Sequence, residues 1–313
     1  MELAKFKRIK ALVLFSGGLD SILAVKILEE QGVKITALFL KSYFFDEKLA
    51  KKTAEILKIP FKTLDISKEQ LTLVKKPKYG YGRGMNPCLD CRILMLKKAK
   101  ELMEKENYSF LATGEVLGER PMSQTKKALK IINDEFGASD WLLRPLSAKV
   151  LEETLAEKKG WVKRERLYGI AGRSRKVQIS LAKKFKIKNF PNPTGGCLLT
   201  DAYFAKKLRR EININPFLGK NDIELLKIGR HFWLNSAKII IGRNKQENEK
   251  IKKLKKKNDI LATIKNYPAP AALIRSFKKG RIDDKTLSET KELIKKYSSK
   301  AEDKEDCEFV IAK

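Results

Sequence analysis

The stretch that decides the fold is Ala11-Leu-Val-Leu-Phe-Ser-Gly-Gly-Leu-Asp-Ser21. It begins with a run of apolar residues, Ala11 to Phe15, which predicts a buried strand because strands covered on both faces read as continuous apolar runs. From Asp20 to Gln31 apolar side chains recur at helical spacing, and Gly32 can end that helix. A strand, a glycine turn and an amphipathic helix in this order are typical of the beginning of an α/β domain.

The same alternation continues through the first third of the chain. Further strands are predicted at 33–40, 61–66 and 109–113, and further helices at 46–58 and 91–105. We therefore expect an α/β fold with a doubly wound parallel sheet. Residues 124–185 are predicted to be mostly helical, with interruptions at 141–145 and 169–172.

The composition changes near Asn213-Ile-Asn-Pro216, which suggests a second, smaller domain. Strands are predicted there at 237–242 and 260–264, with a lysine-rich segment between them. We therefore divide the chain into a main α/β domain, a small α+β domain and a charged helical tail, at residues 1–212, 213–278 and 279–313.

The charge of the chain points to a polyanionic partner. Lys and Arg number 68 against 38 acidic residues, which gives a formal net charge of +30. Nucleic acid is the partner that such an excess favours, although a generally lysine-rich surface would give the same count. Between residues 158 and 188, 12 basic residues stand against Glu165 alone, and aromatic residues lie among them. Basic residues interleaved with aromatic ones fit an RNA-binding surface, and the candidates are Arg164, Arg166, Arg173 and Arg175.

The sequence gives no indication of membrane insertion. No apolar run approaches the ~20 residues that a spanning helix needs. Residues 1–10 are not followed by the apolar core of a signal peptide. We expect a cytoplasmic protein that does not contact membranes.

The segment Ser16-Gly-Gly-Leu-Asp-Ser21 is a candidate phosphate-binding loop. Its two glycines let the backbone turn sharply, so that amide groups at the helix N-terminus can face an anion. The two serines add hydroxyl donors, and Asp20 suits a Mg²⁺ ion that bridges to the phosphates. The Lys-Ser/Thr pair of the Walker loop is missing, and the loop is not a GxGxxG dinucleotide fingerprint. An ordinary glycine-containing turn is the alternative.

The SGGxDS pattern in this place resembles the PP-loop family of ATP pyrophosphatases. This resemblance implies cleavage of ATP between its α and β phosphates and adenylation of a carbonyl or amide oxygen. The ATP-binding residues that we assign on this basis are Ser16, Gly17, Gly18, Leu19, Asp20, Ser21, Leu40, Thr113 and Gly114.

Three of the four cysteines are candidates for sulfur chemistry. Cys88 and Cys91 lie in Asn86-Pro-Cys-Leu-Asp-Cys-Arg92, where a helix begins, so both can point to one side. Cys197 follows two glycines, and Cys307 in the charged tail is expected to be a bystander. His231 is the only histidine, which excludes a histidine-rich zinc site.

Ala112-Thr-Gly-Glu-Val-Leu-Gly118 with Ser123-Gln-Thr125 resembles a segment of tRNA 4-thiouridine synthases. A CxxC pair with one distant cysteine is similar to thiolases that bind a [4Fe-4S] cluster through three cysteines. The resemblance covers residues 8–210 but not the N-terminal RNA-binding region of those synthases. It implies an ATP-dependent tRNA sulfurtransferase that uses ATP, Mg²⁺ and a [4Fe-4S] cluster, with catalytic residues Asp20, Cys88, Cys91 and Cys197.

Several alternatives remain open at this point. The same cysteines suit a persulfide and disulfide relay without a cluster, or a zinc site that lacks a clear fourth ligand. The chain also fits a PP-loop synthetase for a small molecule, or an RNA-binding protein without activity. The oxygen that is replaced, at position 2 or 4 of the uridine, and the sulfur donor, sulfide or a persulfide carrier protein, are undetermined. A homodimer is one option for assembly.

Near the C-terminus, Ile239-Ile-Ile-Gly-Arg-Asn-Lys-Gln-Glu-Asn248 resembles the GRN-x-x-QN segment of the NFACT RNA-binding domain. The resemblance implies that Arg243 and Asn244 contact RNA. Arginine can pair with a phosphate, and asparagine can bond a base edge or a 2′-hydroxyl. His231 is expected to be packed or stacked rather than catalytic.

Overall fold

A computed structural model describes residues 9–188, 190, 197–234, 237–277 and 282–312. The chain divides into two compact units, and the division falls between Thr200 and Asp201. The sequence placed this boundary after residue 212. The difference arises because helix Ala202–Ile214 buries Phe204, Ala205, Leu208 and Glu211 and belongs to the second unit.

The first unit contains a five-stranded sheet in which all paired neighbours are parallel. Its strand order is β3-β2-β1-β4-β5, which confirms the predicted doubly wound sheet. The strands are β1 Lys10–Leu14, β2 Lys34–Lys41, β3 Phe61–Asp65, β4 Phe110–Thr113 and β5 Leu142–Leu143.

Helices cover both faces of this sheet, and the apolar side chains of β1 alternate between the two faces. Ala11 and Val13 pack on the face that carries α1, whereas Leu12 and Leu14 pack on the face that carries α4 and α5. The helices of the first unit are α1 Leu19–Glu29, α2 Lys48–Leu57, α3 Ser67–Lys75, α4 Cys88–Lys105, α5 Lys126–Phe136, α6 Leu155–Lys158 and α7 Lys176–Lys184.

The interruptions predicted at 141–145 and 169–172 are confirmed, and β5 lies within the first of them. The prediction of helix is wrong for most of the rest of 137–175, where the helical elements are α6 and three single 3-10 turns, at Ser139–Trp141, Ala148–Val150 and Arg164–Arg166. Pro145 and the left-handed glycines Gly137, Gly160 and Gly172 divide the segment into pieces too short for longer helices.

The second unit has a separate antiparallel sheet with strand order β10-β8-β9-β7-β6. The expected charged tail is part of this unit, because β10 pairs with β8 and α11 packs against β7, β8 and β9. Its elements are α8 Ala202–Ile214, α9 Lys220–Leu226, β6 Arg230–Trp233, β7 Ala237–Ile241, α10 Lys245–Lys253, β8 Ile260–Ile264, β9 Ala272–Ser276, α11 Asp284–Lys296 and β10 Phe309–Ala312.

Hydropathy along the helices of the described residues is too low for any of them to cross a lipid bilayer.

A fully buried ion pair holds α8 onto the sheet of the second unit. Lys238 Nζ of β7 lies 2.6 Å from Glu211 Oε1, and both side chains have 0% exposure. Because an isolated charge in this position would be unsolvated, removing one partner should cost about 3–5 kcal/mol.

We predict that Glu211→Leu sharply lowers amide-exchange protection in β6 and β7 of the full-length protein, measured by mass spectrometry. The double variant Glu211→Leu/Lys238→Met should recover most of the protection, since no unpaired charge is left. Equal protection in the single variant and the parent protein would contradict this role.

Candidate active site

The phosphate loop lies where the strand order of the parallel sheet reverses. Strand β1 pairs with β2 on one side and with β4 on the other, so a crevice opens at the carboxyl ends of β1 and β4. Gly114, directly after β4, touches the loop there. A Cβ atom on Gly114 would lie 2.5 Å from the carbonyl carbon and oxygen of Asp20 and 2.6 Å from Ser21 N. Only a glycine permits this approach.

The loop itself is a tight turn held by its own serines. Gly17 has φ of +76°, and a Cβ there would lie 2.9 Å from Ala50 Cα. Gly18 N donates to Ser16 Oγ over 3.3 Å, and Ser21 Oγ donates to Gly18 O over 2.8 Å. Helix α1 begins at Leu19 without a side-chain cap, so its first amides are oriented toward the crevice without competition from a capping side chain.

Asp20 carries the chemistry expected of a Mg²⁺ ligand. Its Oδ1 is buried and has no hydrogen-bond partner among the described residues. Burial raises the pKa of Asp20, and the guanidinium groups of Arg175 and Arg120 act in the opposite direction. An orphaned carboxylate oxygen of this kind fits a hard cation such as Mg²⁺.

A second carboxylate, Glu119, faces the same place. Burial raises the pKa of Glu119, and the negative charge of Asp20 raises it further. Arg175 Nε lies 4.0 Å from Glu119 Oε1 and, among the described residues, has no hydrogen-bond partner. Two carboxylates and two arginines thus surround the position beside the phosphate loop. Glu119 and Arg120 were not predicted, although they directly follow the Ala112–Gly118 motif.

Arg175 was predicted as an RNA-binding residue, but the structure places it at the start of α7 beside Asp20 and Glu119. Its position fits contact with the phosphates of ATP as well as contact with RNA.

The CxxC pair starts helix α4. Cys88 is the first residue of the helix, and Cys91 lies one turn later, with its amide bonded to Pro87 O. Between them, Asp90 accepts hydrogen bonds from the amides of Lys78 and Tyr79, over 2.8 and 3.1 Å, which ties the segment before α4 to the start of this helix. The side-chain amide of buried Gln70 lies 3.0 Å from Cys91 Sγ.

Cys197 is brought to this pair by the turn that follows it. Met85 N donates to Leu199 O over 2.9 Å, and Thr200 Oγ1 donates to Cys197 O over 2.7 Å. The pKa of Cys197 is raised to about 12, chiefly by burial and in smaller part by the negative charges of the Cys91 and Cys88 thiolates. The three thiols therefore lie within electrostatic reach of one another. The glycines that precede Cys197 are outside the described residues, and Cys307 lies in the second unit.

The three thiols share a buried environment. Burial raises the pKa of Cys91 to about 11, and it also raises that of Cys88. Within the described ranges, no group of three or more His, Cys, Asp and Glu side chains has the arrangement of a metal-ion site, so the structure shows neither the zinc site nor the three-cysteine cluster there. Three sulfur donors without a histidine fit an iron–sulfur cluster with three protein ligands, or sulfur-relay chemistry.

One guanidinium connects the thiols to the phosphate loop. Burial raises the pKa of both Asp20 and Cys88, and the Arg120 guanidinium opposes this rise at both groups, so the carboxylate and the thiol lie within electrostatic reach of the same charge. The predicted ATP side and the predicted sulfur side are therefore near the same guanidinium.

A buried network also connects the two sides. Glu115 Oε2 lies 2.9 Å from Arg144 Nε, and Glu115 Oε1 lies 3.0 Å from Arg92 Nε. Burial would raise the pKa of Glu115, but the two arginines outweigh it and hold the pKa below its usual value. Thr113 donates to the same carboxylate over 3.1 Å.

The remaining predicted residues occupy varied surroundings. Leu40 is buried in the core on the α4 side of the sheet. Arg164 pairs with Glu157 and Glu153 and donates to Leu151 O, whereas Arg166 and Arg173 are exposed.

In the second unit, Arg243 forms a forked ion pair with Glu247. Asn244 caps α10 by accepting the amide of Glu247. Half of the Arg243 side chain is exposed, so a phosphate can still reach it. His231 Nε2 donates to Ile228 O, and burial lowers the pKa of His231 to about 3.

Comparison with known proteins gives two family matches. The family described as thiamine biosynthesis protein (ThiI) matches residues 6–157, and the NFACT protein RNA binding domain matches residues 229–313. The matches confirm both resemblances read from the sequence: a PP-loop unit of the ThiI type and a C-terminal domain of the NFACT RNA-binding type.

Individual relatives match only part of the chain and at low sequence identity. A tRNA-specific 2-thiouridylase MnmA 2 of Thermoanaerobacter sp. (strain X514) is 27% identical over 220 residues, which cover 63% of this chain and 57% of that protein. A tRNA-specific 2-thiouridylase MnmA of Acidithiobacillus ferrooxidans (strain ATCC 53993 / BNL-5-31) is 35% identical over 116 residues, 34% of this chain and 33% of that protein. The chain thus spans just over half the length of the first of these relatives.

Among solved structures, a 4-thiouridine synthetase in complex with RNA and ATP is 19% identical, with a TM-score of 0.37 over 70% of this chain and 52% of that one. A predicted tRNA methyltransferase subunit of Methanocaldococcus jannaschii is 22% identical, with a TM-score of 0.34 over 44% of this chain and 69% of that one.

The raised pKa values predict an order of thiol reactivity. Thiolates, not thiols, react with iodoacetamide, and a thiol with a pKa of about 11 is only ~0.1% ionised at pH 8. In metal-free Cys307→Ser protein, we expect Cys88 to be alkylated first, and Cys91 and Cys197 only as the pH approaches 11. Peptide mass spectrometry measures the three rates. Rapid alkylation of Cys197 at pH 7 would contradict the buried environment.

The approach of Gly114 to the loop gives a second prediction. Gly114→Ala must push the Asp20–Ser21 backbone away, and we expect the Kd for ATP to rise by about tenfold or more. Calorimetry measures this. Gly219→Ala is the matched control, since its Cβ would meet no atom closer than 3.9 Å. An unchanged Kd in Gly114→Ala would show that ATP does not use this loop.

Proposed function

We propose that this chain is an ATP-dependent tRNA sulfurtransferase, which adenylates a uridine carbonyl oxygen and replaces that oxygen with sulfur. The observation that supports this most is the Arg120 guanidinium, which lies within electrostatic reach of both Asp20 beside the phosphate loop and Cys88 of the CxxC pair. An activating site and a sulfur site must be adjacent, because the adenylated base has to meet sulfur before water hydrolyses it.

In the first step, the uridine oxygen attacks the α-phosphate of ATP and pyrophosphate leaves. The loop amides and the hydroxyls of Ser16 and Ser21 bind the phosphates, while Arg175 and Arg120 offset the charge that develops. Asp20, with Glu119 beside it, would hold Mg²⁺ against the departing pyrophosphate.

In the second step, sulfur attacks the activated carbon and AMP leaves. Cys88, Cys91 and Cys197 would hold a [4Fe-4S] cluster, which would supply one iron without a protein ligand, open to a hydrosulfide. The chain orients the attack by fixing Cys91 against Gln70 and by tying the Cys197 turn to Met85.

A persulfide relay is the second candidate, supported by the coupling of all three thiols without a fourth ligand. Here the outer sulfur of a cysteine persulfide attacks the carbon and displaces AMP. A second cysteine thiolate then attacks the inner sulfur, which releases the thiouridine and forms a disulfide. A thiol reductant must reset that disulfide, so turnover without reductant separates the two chemistries.

The RNA partner is supported by the match to the NFACT RNA binding domain and by the net charge of +30. The relatives named 2-thiouridylases favour the oxygen at position 2, whereas the Ala112–Gly118 motif favours position 4.

We predict that pyrophosphate release from ATP depends on tRNA, and that the product tRNA contains 2-thiouridine or 4-thiouridine. Asp20→Ala should abolish pyrophosphate release. Cys197→Ser should retain it and lose thiolation, while Cys307→Ser should retain both. Nucleoside mass spectrometry identifies the product. Thiolation by Cys197→Ser at the parental rate would refute the role of the three thiols.

Iron and sulfide analysis after anaerobic purification distinguishes the sulfur chemistries. About four irons and four sulfides per chain, lost in Cys197→Ser, support the cluster. Iron-free protein that thiolates tRNA and accumulates a disulfide between two of the three cysteines supports the relay.

A further inference from the structure

Helix α8 presents an exposed face that its own unit does not need for folding. The helix buries Phe204, Ala205, Leu208 and Glu211 against the second unit. On the other side it exposes large side chains, and Phe217 in the turn that follows is also exposed. We call this the α8 surface, and it consists of Tyr203, Lys206, Arg210, Ile214 and Phe217.

The two aromatic residues of this surface are the most exposed large apolar side chains described. Tyr203 is 84% and Phe217 90% exposed, while the next, Ile56, is 65% exposed. Tyr203, Lys206 and Arg210 follow one another at intervals of three and four residues, so they lie on one face of the helix. Exposing large aromatic rings to water is unfavourable, and their position beside the cations Lys206 and Arg210 indicates a partner with planar, negatively charged groups.

The surface continues onto strand β6 as a series of stacked planar groups. The Arg210 guanidinium lies 4.9 Å above the centre of the Trp233 ring, and the Trp233 and His231 rings are stacked at 5.5 Å. Burial keeps His231 neutral by lowering its pKa, so this end of the surface offers stacking rather than additional charge. Trp233 is only partly buried, which leaves part of its edge accessible.

We propose that the α8 surface binds unpaired nucleotides of the tRNA substrate. Tyr203 and Phe217 stack on bases, and Lys206 and Arg210 contact the adjoining phosphates. The inference rests on the proposed function for its tRNA partner. It extends RNA recognition to a helix that lies between the two segments matched by family models, residues 6–157 and 229–313.

The chemistry favours RNA over a protein partner. An apolar protein surface would be paired with Tyr203 and Phe217 but would leave Lys206 and Arg210 facing apolar groups, whereas a nucleotide supplies a planar base and a phosphate at once. The chain as a whole has a formal net charge of +30, which attracts RNA to the molecule that carries this surface. Paired bases are stacked on one another and cannot accept the rings, so the partner is an unpaired segment.

The test compares tRNA affinities of full-length variants at fixed salt. We expect Tyr203→Ala/Phe217→Ala to weaken binding about tenfold or more without changing the salt dependence, because stacking releases no counterions. Lys206→Ala/Arg210→Ala should weaken binding and lower the salt slope by about 1.5. Tyr203→Phe should bind like the parent, since it keeps the ring.

Ile56→Ala is the matched control, because it removes an exposed apolar side chain of the first unit. It should change affinity by less than about twofold. A fully duplex RNA should bind the parent and the aromatic variant equally, since it offers no unpaired base.

Parental tRNA affinity in Tyr203→Ala/Phe217→Ala would overturn the inference while leaving tRNA thiolation intact. Absence of tRNA binding by the parent protein would overturn the proposed function as well. A parental dimer that becomes a monomer in the aromatic variant, by light scattering, with unchanged tRNA affinity, would assign the α8 surface to a second copy of this chain instead.

Discussion

The geometry of the active site depends on one buried carboxylate. Glu115 follows Gly114, whose backbone touches the phosphate loop, and it pairs with Arg92, which follows Cys91 on α4. Arg144 completes the network from the residues after β5. Glu115 and Arg144 are buried, whereas the Arg92 side chain is 25% exposed. Removing Glu115 or Arg144 would leave a buried charge unpaired, at a cost of about 3–5 kcal/mol. The phosphate loop and the cysteine helix are thereby fixed against each other by charge as well as by apolar packing.

Burial affects two different kinds of titratable group around Arg120. Burial raises the pKa of Asp20 and Glu119 on one side and of the three thiols on the other. The carboxylates and the thiols differ in the partners that stabilise them when they are buried. Oxygen ligands are satisfied by a hard cation and by arginine, whereas thiols are satisfied by iron or by bonds to sulfur. In the proposed function, a hard site for phosphates would therefore lie beside a soft site for sulfur, with Arg120 within electrostatic reach of both.

Local signals in the sequence predicted the beginning of the first unit well, because β1, the loop and α1 are contiguous and each is specified by its own residues. The cysteine pair was predictable for the same reason. The contribution of Glu119 was not, since its environment is created by Asp20 and Arg175 from distant parts of the chain. The pairing of β10 with β8 was also missed, because a short strand after a charged helix acquires its partner only through long-range contacts.

The basic residues show why net charge predicts a partner but not the residues that contact it. Arg175 and Arg164 come from one basic segment, yet Arg175 faces the carboxylates beside the phosphate loop and Arg164 is held by Glu157 and Glu153. The position of each arginine side chain is set by the nearest carboxylate, whose attraction acts over a few ångströms. The attraction of the whole chain for RNA acts over about a Debye length and does not select individual residues. Arg166 and Arg173 are exposed and have no such carboxylate partner among the described residues. They are therefore better candidates for RNA contact than Arg164 and Arg175.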